Sequence, residues 1–234
     1  RASRLPAMRR YDIDLLTNRN EAAIAKAARF IRNTIKRYHR AEARGLHNVP
    51  DGAALYVANH NAGIWIPETY IMLEALYRER GLEHVPYGLG HEVAISTPGI
   101  HQIVVPLGAI RASHENAHRV FEAGGKCLVF PGGDEDTFRS YKKRNTIRFG
   151  GRTGYIRLAL RAQIPIVPVV TVGAHESLIV LAEGRRAARA LGLDRLLRMK
   201  VLPVSACLPW GVMIGPGPFL PFPTRITQAF LEPI

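Results

Sequence analysis

The chain has 234 residues, enough for one domain with a sizeable core, and 47% of them are apolar, which excludes a disordered protein. It carries 32 Lys and Arg against 19 Asp and Glu, and this net charge of +13 predicts an anionic partner. Nucleic acid, an anionic membrane surface and a phosphorylated substrate all fit that charge. The only two cysteines lack CxxC spacing, which argues against a disulfide scaffold or a zinc ribbon.

Residues 20–40 predict a basic amphipathic helix with Asn20 as its N-cap. Its apolar residues recur every three or four positions, with Lys and Arg between them. Such a helix can lie in a membrane interface beside anionic headgroups, or it can pack as an ordinary helix with a basic face. We expect residues 1–45 to form a helical, membrane-facing extension and residues 46–234 to form the main domain.

The middle of the chain alternates between strand-like and helix-like segments. Strands are predicted at Ala53–Ala58, Val85–Leu89, Cys127–Phe130 and Ile164–Thr171, and helices at Glu68–Arg80, Glu115–Ala123 and Thr153–Ala162. This alternation predicts an α/β fold with a single mixed, largely parallel sheet flanked by helices.

A histidine follows the first of these strands. Because open α/β sheets bind ligands at the carboxyl ends of their strands, His60 is expected to face such a crevice. Pro67 favours the start of a helix, and Glu68 behind it can turn back toward the imidazole. A histidine held by a carboxylate is the minimum needed for general-base chemistry on a hydroxyl. The alternative is a strand-end histidine that only caps a turn.

A second candidate site follows the strand Cys127–Phe130. Gly132 and Gly133 allow a sharp turn that brings backbone N–H groups close to a ligand. Positive charge follows at Arg139, Lys142 and Lys143, which suits a phosphate or a developing oxyanion. No GK[ST] sequence closes this segment, so it is not a P-loop. A plain turn with a solvated basic face is the alternative.

The run from His114 to His118 fits the zinc signature HExxH. The apolar side of its predicted helix is formed by Ala117, Val120 and Phe121, which leaves the two histidines on the flank. Catalytic zinc needs three protein ligands, and only two are visible here. We therefore predict no metal site.

Residues 201–223 are apolar, rich in Pro and Gly, and without charge. Such a stretch is either core or a lipid-facing surface, and we expect partial membrane contact. The Pro and Gly residues interrupt every long apolar run, so no full transmembrane span is predicted.

Four sequence blocks, at residues 59–68, 108–111, 130–133 and 165–169, carry a family resemblance. In this order they resemble the glycerolipid (lysophospholipid) acyltransferase superfamily, and the resemblance covers about residues 50–215. The usual signature places an Asp at the position occupied here by Trp65. A bacterial branch instead places the acid eight positions after the histidine, where this chain has Glu68.

The resemblance implies acyl transfer from acyl-CoA or acyl carrier protein, as co-substrate, to a hydroxyl of a lysophospholipid such as lysophosphatidic acid. His60 would be the general base and Glu68 would orient it. Phosphate would be held by basic residues (Arg111, Arg139, Lys142 and Lys143), and Gly132 and Gly133 would stabilise the oxyanion. No other cofactor is implied. The location implied is peripheral or monotopic, on the cytoplasmic face of an anionic membrane.

Other functions remain open. A neutral acceptor such as diacylglycerol or a glycolipid fits the third block, and a thioesterase or lipid hydrolase would use the same pair with water as acceptor. A nucleic-acid-binding module would explain the charge. However, the aromatic residues are not interleaved with the basic runs as a stacking platform requires, so no nucleic-acid partner is expected.

Overall fold

The computed structural model describes residues 9–196 and 199–234, in which two β-sheets are formed. Its strands are β1 (Glu42–Arg44), β2 (Ala54–Ala58), β3 (Tyr87–Gly90), β4 (Ala109–Arg111), β5 (Lys126–Val129), β6 (Ile166–Val172), β7 (Ile179–Ala182), β8 (Val204–Cys207), β9 (Gly211–Ile214) and β10 (Thr227–Phe230). The main sheet has the order β1-β10-β6-β2-β5-β3-β4, and every neighbouring pair is parallel except β10 with β6. The mixed, largely parallel sheet predicted from the sequence is therefore confirmed.

Helices cover both faces of the main sheet. They are α1 (Glu21–Asn33), α2 (Ile35–Tyr38), α3 (Pro67–Arg80), α4 (Glu92–Ser96), α5 (Ile100–Val104), α6 (His114–Glu122), α7 (Gly133–Thr137), α8 (Gly154–Ala162), α9 (Arg185–Ala190) and α10 (Leu193–Leu196). Strand β2 is buried along its whole length because Tyr56 points into the core beneath α1 and α3, while Leu55 and Val57 point into the core beneath α6 and α8. Burial on both faces is typical of parallel strands.

Side chains cap the starts of α1, where Asn20 was the predicted cap, and of α6. The side chain of Asn20 accepts from the backbone N–H of Ala23 at 2.9 Å, and Ser113 Oγ accepts from the Asn116 N–H at 3.1 Å. These bonds satisfy donors that have no partner inside the helix. The helix predicted over residues 20–40 is divided at Thr34, whose φ of −120° and ψ of −80° are not helical.

The expected division between residues 1–45 and 46–234 does not correspond to a break in the described chain. Ile24, Ala28 and Ile31 on α1 are buried in the core that α3 also lines, and β1 forms the edge of the main sheet. These three apolar residues of α1 are therefore covered by protein, because α1 packs on α3. Its basic side chains Lys26, Arg29 and Arg32 are exposed, as is Phe30.

Residues 201–223 contribute to a second sheet that the sequence pattern did not predict. Strands β7, β8 and β9 pair antiparallel in that order, and the inner face of this sheet packs on Phe138. Prolines around β8 and β9 masked the period-two pattern of these short strands. Within residues 9–196 and 199–234, no helix combines the length and apolarity needed to cross a membrane.

Candidate active site

The site begins where β2 ends. Asn59 exchanges two hydrogen bonds with Thr171 of the neighbouring strand β6: its side-chain oxygen accepts from the Thr171 N–H at 2.8 Å, and its amide donates to the Thr171 carbonyl at 2.9 Å. Both residues are buried. This exchange fixes the chain at the carboxyl edge of the sheet immediately before His60.

Glu68 reaches His60, as the spacing of the first block predicted. Its Oε1 lies 2.9 Å from His60 Nδ1 and also accepts the backbone N–H of Asn61 at 2.8 Å. Ala62 and Ile66 have positive φ values of 57° and 43°, and this tight turn brings the first turn of α3 back toward the end of β2. Glu68 is fully buried, and a carboxylate there is favoured by the helix N-terminus.

The other imidazole nitrogen of His60 is available for a substrate. With Glu68 accepting the Nδ1–H, Nε2 carries the lone pair, and within residues 9–196 and 199–234 no hydrogen bond to Nε2 is formed. The side chain is 17% exposed. Phe130 stacks on the ring with 4.4 Å between centroids, which restricts its rotation. The arrangement is a fixed imidazole whose ring remains partly exposed to solvent.

A buried ion pair holds the backbone of His60 from both sides. Asp136 Oδ2 accepts the His60 N–H at 2.6 Å, and Arg139 Nη1 donates to the His60 carbonyl at 2.9 Å. The two side chains are joined at 3.1 Å, and each is at most 2% exposed. Arg139 Nη2 also donates to Asn61 Oδ1 at 2.7 Å. The segment that follows the third block therefore positions the start of the first block.

This placement of Arg139 differs from the expected phosphate-binding role. Both Nη atoms are occupied by protein acceptors, including the Arg144 carbonyl at 3.0 Å, and the residue is only 1% exposed. Burial lowers the pKa of the guanidinium, and the adjacent Asp136 carboxylate opposes that shift. Arg139 is a positioning residue inside the protein rather than a cation at its surface.

Gly132 and Gly133 lie where the sequence places them, directly after β5, but tight packing already explains them. A Cβ on Gly132 would lie 2.2 Å from Asp136 Cβ and 2.3 Å from the Arg148 carbonyl oxygen. Gly133 has a φ of +51°, and its N–H donates to the Phe130 carbonyl at 3.1 Å. The Gly133 N–H is therefore not free as an oxyanion donor. The Gly132 N–H has no acceptor within the described parts of the chain.

The remaining predicted phosphate ligands lie at two separate places. Arg111 is the last residue of β4, which lies three strand spacings, or roughly 14 Å, from β2. Its guanidinium pairs with Asp14 at 2.9 Å and with Glu92 at 3.5 Å. Lys142 and Lys143 are exposed in a turn after α7, and in the described regions neither ammonium lies within ion-pair distance of a carboxylate. The structure therefore does not bring Arg111 and the two lysines into one cluster.

The HExxH run lies on the outer flank of α6. His118 is 53% exposed and lies 3.5 Å from Glu122, one turn further along the same helix. Across residues 9–196 and 199–234, no three His, Cys, Asp or Glu side chains are grouped so that they could hold a metal ion. Both cysteines are buried, and desolvation raises the pKa of each thiol, so neither is an activated nucleophile.

Two residues of this site were not identified from the sequence. Asp136 is one of three consecutive acids, and nothing in the local pattern distinguishes it from Asp134 and Glu135. His175 follows β6, and its Nε2 donates to the Arg139 carbonyl at 2.7 Å, which supports Arg139 from behind. An internal charged residue is recognisable only when its long-range partner is known.

Known proteins resemble this chain both in sequence and in fold. The profile of the family described as Acyltransferase matches residues 40–172, which contain His60, Glu68 and the Asp136–Arg139 pair. In the fold comparison, the crystal structure of the 1-acyl-sn-glycerophosphate (LPA) acyltransferase PlsC from Thermotoga maritima matches with a TM-score of 0.51 at 15% identity. The match covers 90% of this chain and 71% of that one.

Among sequence relatives, an uncharacterized protein of Mycobacterium tuberculosis is 31% identical over 92% of this chain and 57% of its own length. The "DGAT1/2-independent enzyme synthesizing storage lipids" of Gallus gallus is 26% identical over 81% of this chain and 55% of its own length. The chain thus spans somewhat more than half the length of these relatives. On the family match, which covers more than half of its residues, the chain belongs to the acyltransferase family, within the glycerolipid acyltransferase superfamily that its blocks resemble.

Proposed function

We propose that this acyltransferase transfers a fatty acyl group from acyl-CoA or acyl carrier protein to a hydroxyl of a lysophospholipid such as lysophosphatidic acid. One observation carries the proposal. The His60–Glu68 pair is joined at 2.9 Å, and among the residues that the structure describes Nε2 has no hydrogen-bond partner at the carboxyl edge of the sheet. Because Glu68 is fully buried, its carboxylate stabilises the imidazolium that forms when His60 takes a proton.

The reaction needs no enzyme nucleophile. His60 Nε2 accepts the proton of the acceptor hydroxyl as that oxygen attacks the thioester carbonyl carbon. The tetrahedral intermediate then breaks its C–S bond, and the departing sulfur takes the proton from His60. An ester and a free thiol result. The Gly132 N–H, which has no acceptor in the described part of the chain, is our candidate donor to the oxyanion.

The exposed cations near the site are the candidates for phosphate recognition. Lys142 and Lys143 are exposed cations beside the third block, and they suit the phosphate of a lysolipid or of the donor. Arg111 already has two carboxylate partners. A ligand there would compete with or add to those pairs. We therefore assign the lysines first and Arg111 second as anion-binding residues.

A neutral acceptor is the second candidate. The relatives from Gallus gallus and Mus musculus carry the name of a storage-lipid enzyme, and the carboxylates around Arg111 reduce the positive field at that edge. Diacylglycerol or a glycolipid would need only the hydroxyl to reach His60. A thioesterase or lipid hydrolase would use water instead.

The test is acyl transfer by the purified protein in detergent micelles, with mass-spectrometric detection of products. Acyl-CoA and acyl carrier protein serve as alternative donors, and lysophosphatidic acid, monoacylglycerol and diacylglycerol as acceptors. We expect a new ester with lysophosphatidic acid that is lost in His60→Ala and retained in His118→Ala, since His118 lies outside the site. Full transfer by His60→Ala would overturn the mechanism. Equal release of free fatty acid without any acceptor would indicate a hydrolase.

A further inference from the structure

The outer face of the second sheet is apolar and open to solvent. Ile179, Ala206 and Val212 are aligned across its three strands, and Ile214 lies opposite Val204 on the same face. Val212 is 61% exposed and Ile214 is 71% exposed. An antiparallel sheet with one face on the core normally carries polar residues on the other. Here both faces are apolar, which indicates that the outer face is covered by something apolar.

The apolar surface continues around the end of the β8–β9 hairpin. Trp210 lies at the turn with 59% of its surface exposed, and Leu208 and Leu220, paired through an isolated bridge, are exposed by 47% and 60%. The Trp210 indole N–H donates to the Pro218 carbonyl, so the ring is held in place by its polar end. A tryptophan with an apolar body and a satisfied N–H is typical of interfacial sites in membranes.

The cations next to this sheet indicate that its partner is anionic. The turn that carries the exposed Lys142 and Lys143 packs beside β7. Helix α9, which follows β7 along the chain, presents Arg186 and Arg189 to solvent, and residues 185–192 contain no acid. Apolar residues that enter a bilayer, flanked by cations that contact its headgroups, match an anionic lipid surface.

We propose that the outer face of β7–β9, defined by Ile179, Val204, Ala206, Val212 and Ile214 together with Trp210, docks the protein on an anionic lipid bilayer. This face replaces α1, whose apolar side is buried, as the membrane-contacting element. The proposal rests on the proposed function, in which a lipid is the acceptor.

Docking through this face would bring the site to the membrane. The inner face of the same sheet packs on Phe138, which also fills the space beside Gly63 in the loop after His60. Phe138 in turn lies two positions after Asp136, whose carboxylate holds the His60 N–H. The core around Phe138 therefore lies between this sheet and the loop that follows the proposed base.

The test measures vesicle binding by flotation and by tryptophan fluorescence, without any catalytic step. The probes are vesicles of phosphatidylcholine alone and of phosphatidylcholine mixed with phosphatidylglycerol. We expect binding to the mixed vesicles and a blue shift of the emission. The chain has two tryptophans, and Trp210→Phe should abolish the shift while the partly buried Trp65 remains.

Substitutions of Val212 and Ile214 test the outer face itself, first with Thr, which keeps the β-branched shape, and then with Asp. Val212→Thr with Ile214→Thr should lower the partition coefficient by roughly ten-fold, and Val212→Asp with Ile214→Asp should lower it further. Matched controls are Leu160→Gln, which changes an exposed leucine on α8, and Phe30→Gln, which changes an exposed phenylalanine on α1. Both controls should bind as the unsubstituted protein does. Circular dichroism and acyl transfer in micelles verify that each variant is folded.

Four results would overturn the proposal. The first two are unchanged vesicle binding by the sheet variants and a larger loss of vesicle binding in Phe30→Gln than in those variants. The others are equal binding to neutral and anionic vesicles, and conversion of a dimer to a monomer by the sheet variants with vesicle binding unchanged. The last result would identify a second copy of the chain as the occupant. Vesicle binding without acyl transfer in micelles would leave this docking surface in place while contradicting the proposed function.

Discussion

Asp136 accepts the backbone N–H of His60 at 2.6 Å across 76 positions of sequence. The same carboxylate pairs with Arg139 and accepts the backbone N–H of Arg148 at 2.9 Å. One buried group therefore ties three chain segments together at the carboxyl edge of the sheet. The position of the proposed base depends on a residue that never touches its imidazole.

The first prediction concerns this carboxylate. Asp136→Asn keeps the side-chain size but leaves Arg139 buried without its counter-ion, so we expect the free energy of unfolding to fall by about 3–5 kcal/mol. Urea denaturation followed by circular dichroism measures the change. The control is Glu122→Gln, at a carboxylate that is 69% exposed, with an expected loss of less than about 1 kcal/mol. Equal midpoints for Asp136→Asn and the unsubstituted protein would contradict a structural role for the pair.

The second prediction concerns the contact through which Glu68 orients the His60 imidazole. Glu68→Gln removes the negative charge that favours the Nδ1–H tautomer and stabilises the imidazolium, so kcat should fall by about 10²- to 10⁴-fold with KM little changed. Steady-state kinetics on the best acceptor measures both constants. The control is Glu79→Gln on the same helix, at a side chain 44% exposed. A rise in KM with kcat intact would assign Glu68 to substrate binding instead.

The third prediction concerns Trp65, which occupies the position where most of the superfamily has the aspartate. Its indole packs with Tyr70, 6.2 Å away, against the core beneath α3, so its side chain serves that core. We expect that adding Trp65→Asp to Glu68→Gln restores no activity. It should also destabilise the protein by about 1–3 kcal/mol, because an aromatic side chain is removed from a packed but only partly buried site. Recovery of kcat in the double variant would show that the loop can present an acid from either position.

How well the sequence predicts a structural feature depends on how far apart along the chain the residues that determine it lie. Strand β2 and helix α3 were predicted because burial and caps act within a few residues, and the His60–Glu68 contact followed because only a tight turn separates the two residues. Arg139 was placed at the surface because its neighbours in sequence are basic. Its true environment is created by Asp136 and by the backbone of His60, which local composition cannot reveal.

Partners that are distant in sequence also explain why the N-terminal helix and the three-stranded sheet differ from the expectations. The basic helix over residues 20–40 was recognised correctly as amphipathic, but whether its apolar face meets lipid or protein depends on α3, which lies more than thirty positions away. The three-stranded sheet was not predicted, because its strands are four residues long and the segment carries several prolines. Pairing with β7 gives those strands their stability, and that partner precedes them by more than twenty residues.

The fourth prediction uses the glycines of the third block. Gly132→Ala would place a Cβ 2.2 Å from Asp136 Cβ, a distance that real structures avoid, so the backbone must shift and weaken the Asp136 contacts. We expect a loss of about 1–3 kcal/mol in the free energy of unfolding, as for other overpacked sites. Gly154→Ala, at an open position in the first turn of α8, should instead be neutral or stabilise by up to about 1 kcal/mol. Thermal denaturation of both variants distinguishes the two environments.

The fifth prediction is a pH dependence that originates at His175. Burial, with Arg139 and Arg144 nearby, lowers the pKa of His175 from its usual 6.5 to about 4. Between these two values the unfolded chain binds the proton and the folded protein does not, so stability rises with pH across this window and is lost as pH falls from about 6.5 toward 4. The contribution of this one residue is on the order of 3 kcal/mol. In His175→Gln, which keeps an N–H donor for the Arg139 carbonyl, the free energy of unfolding should decline less steeply over the same range. Denaturant titrations at several pH values measure both slopes, and parallel curves for the two proteins would show that His175 is not the group that titrates.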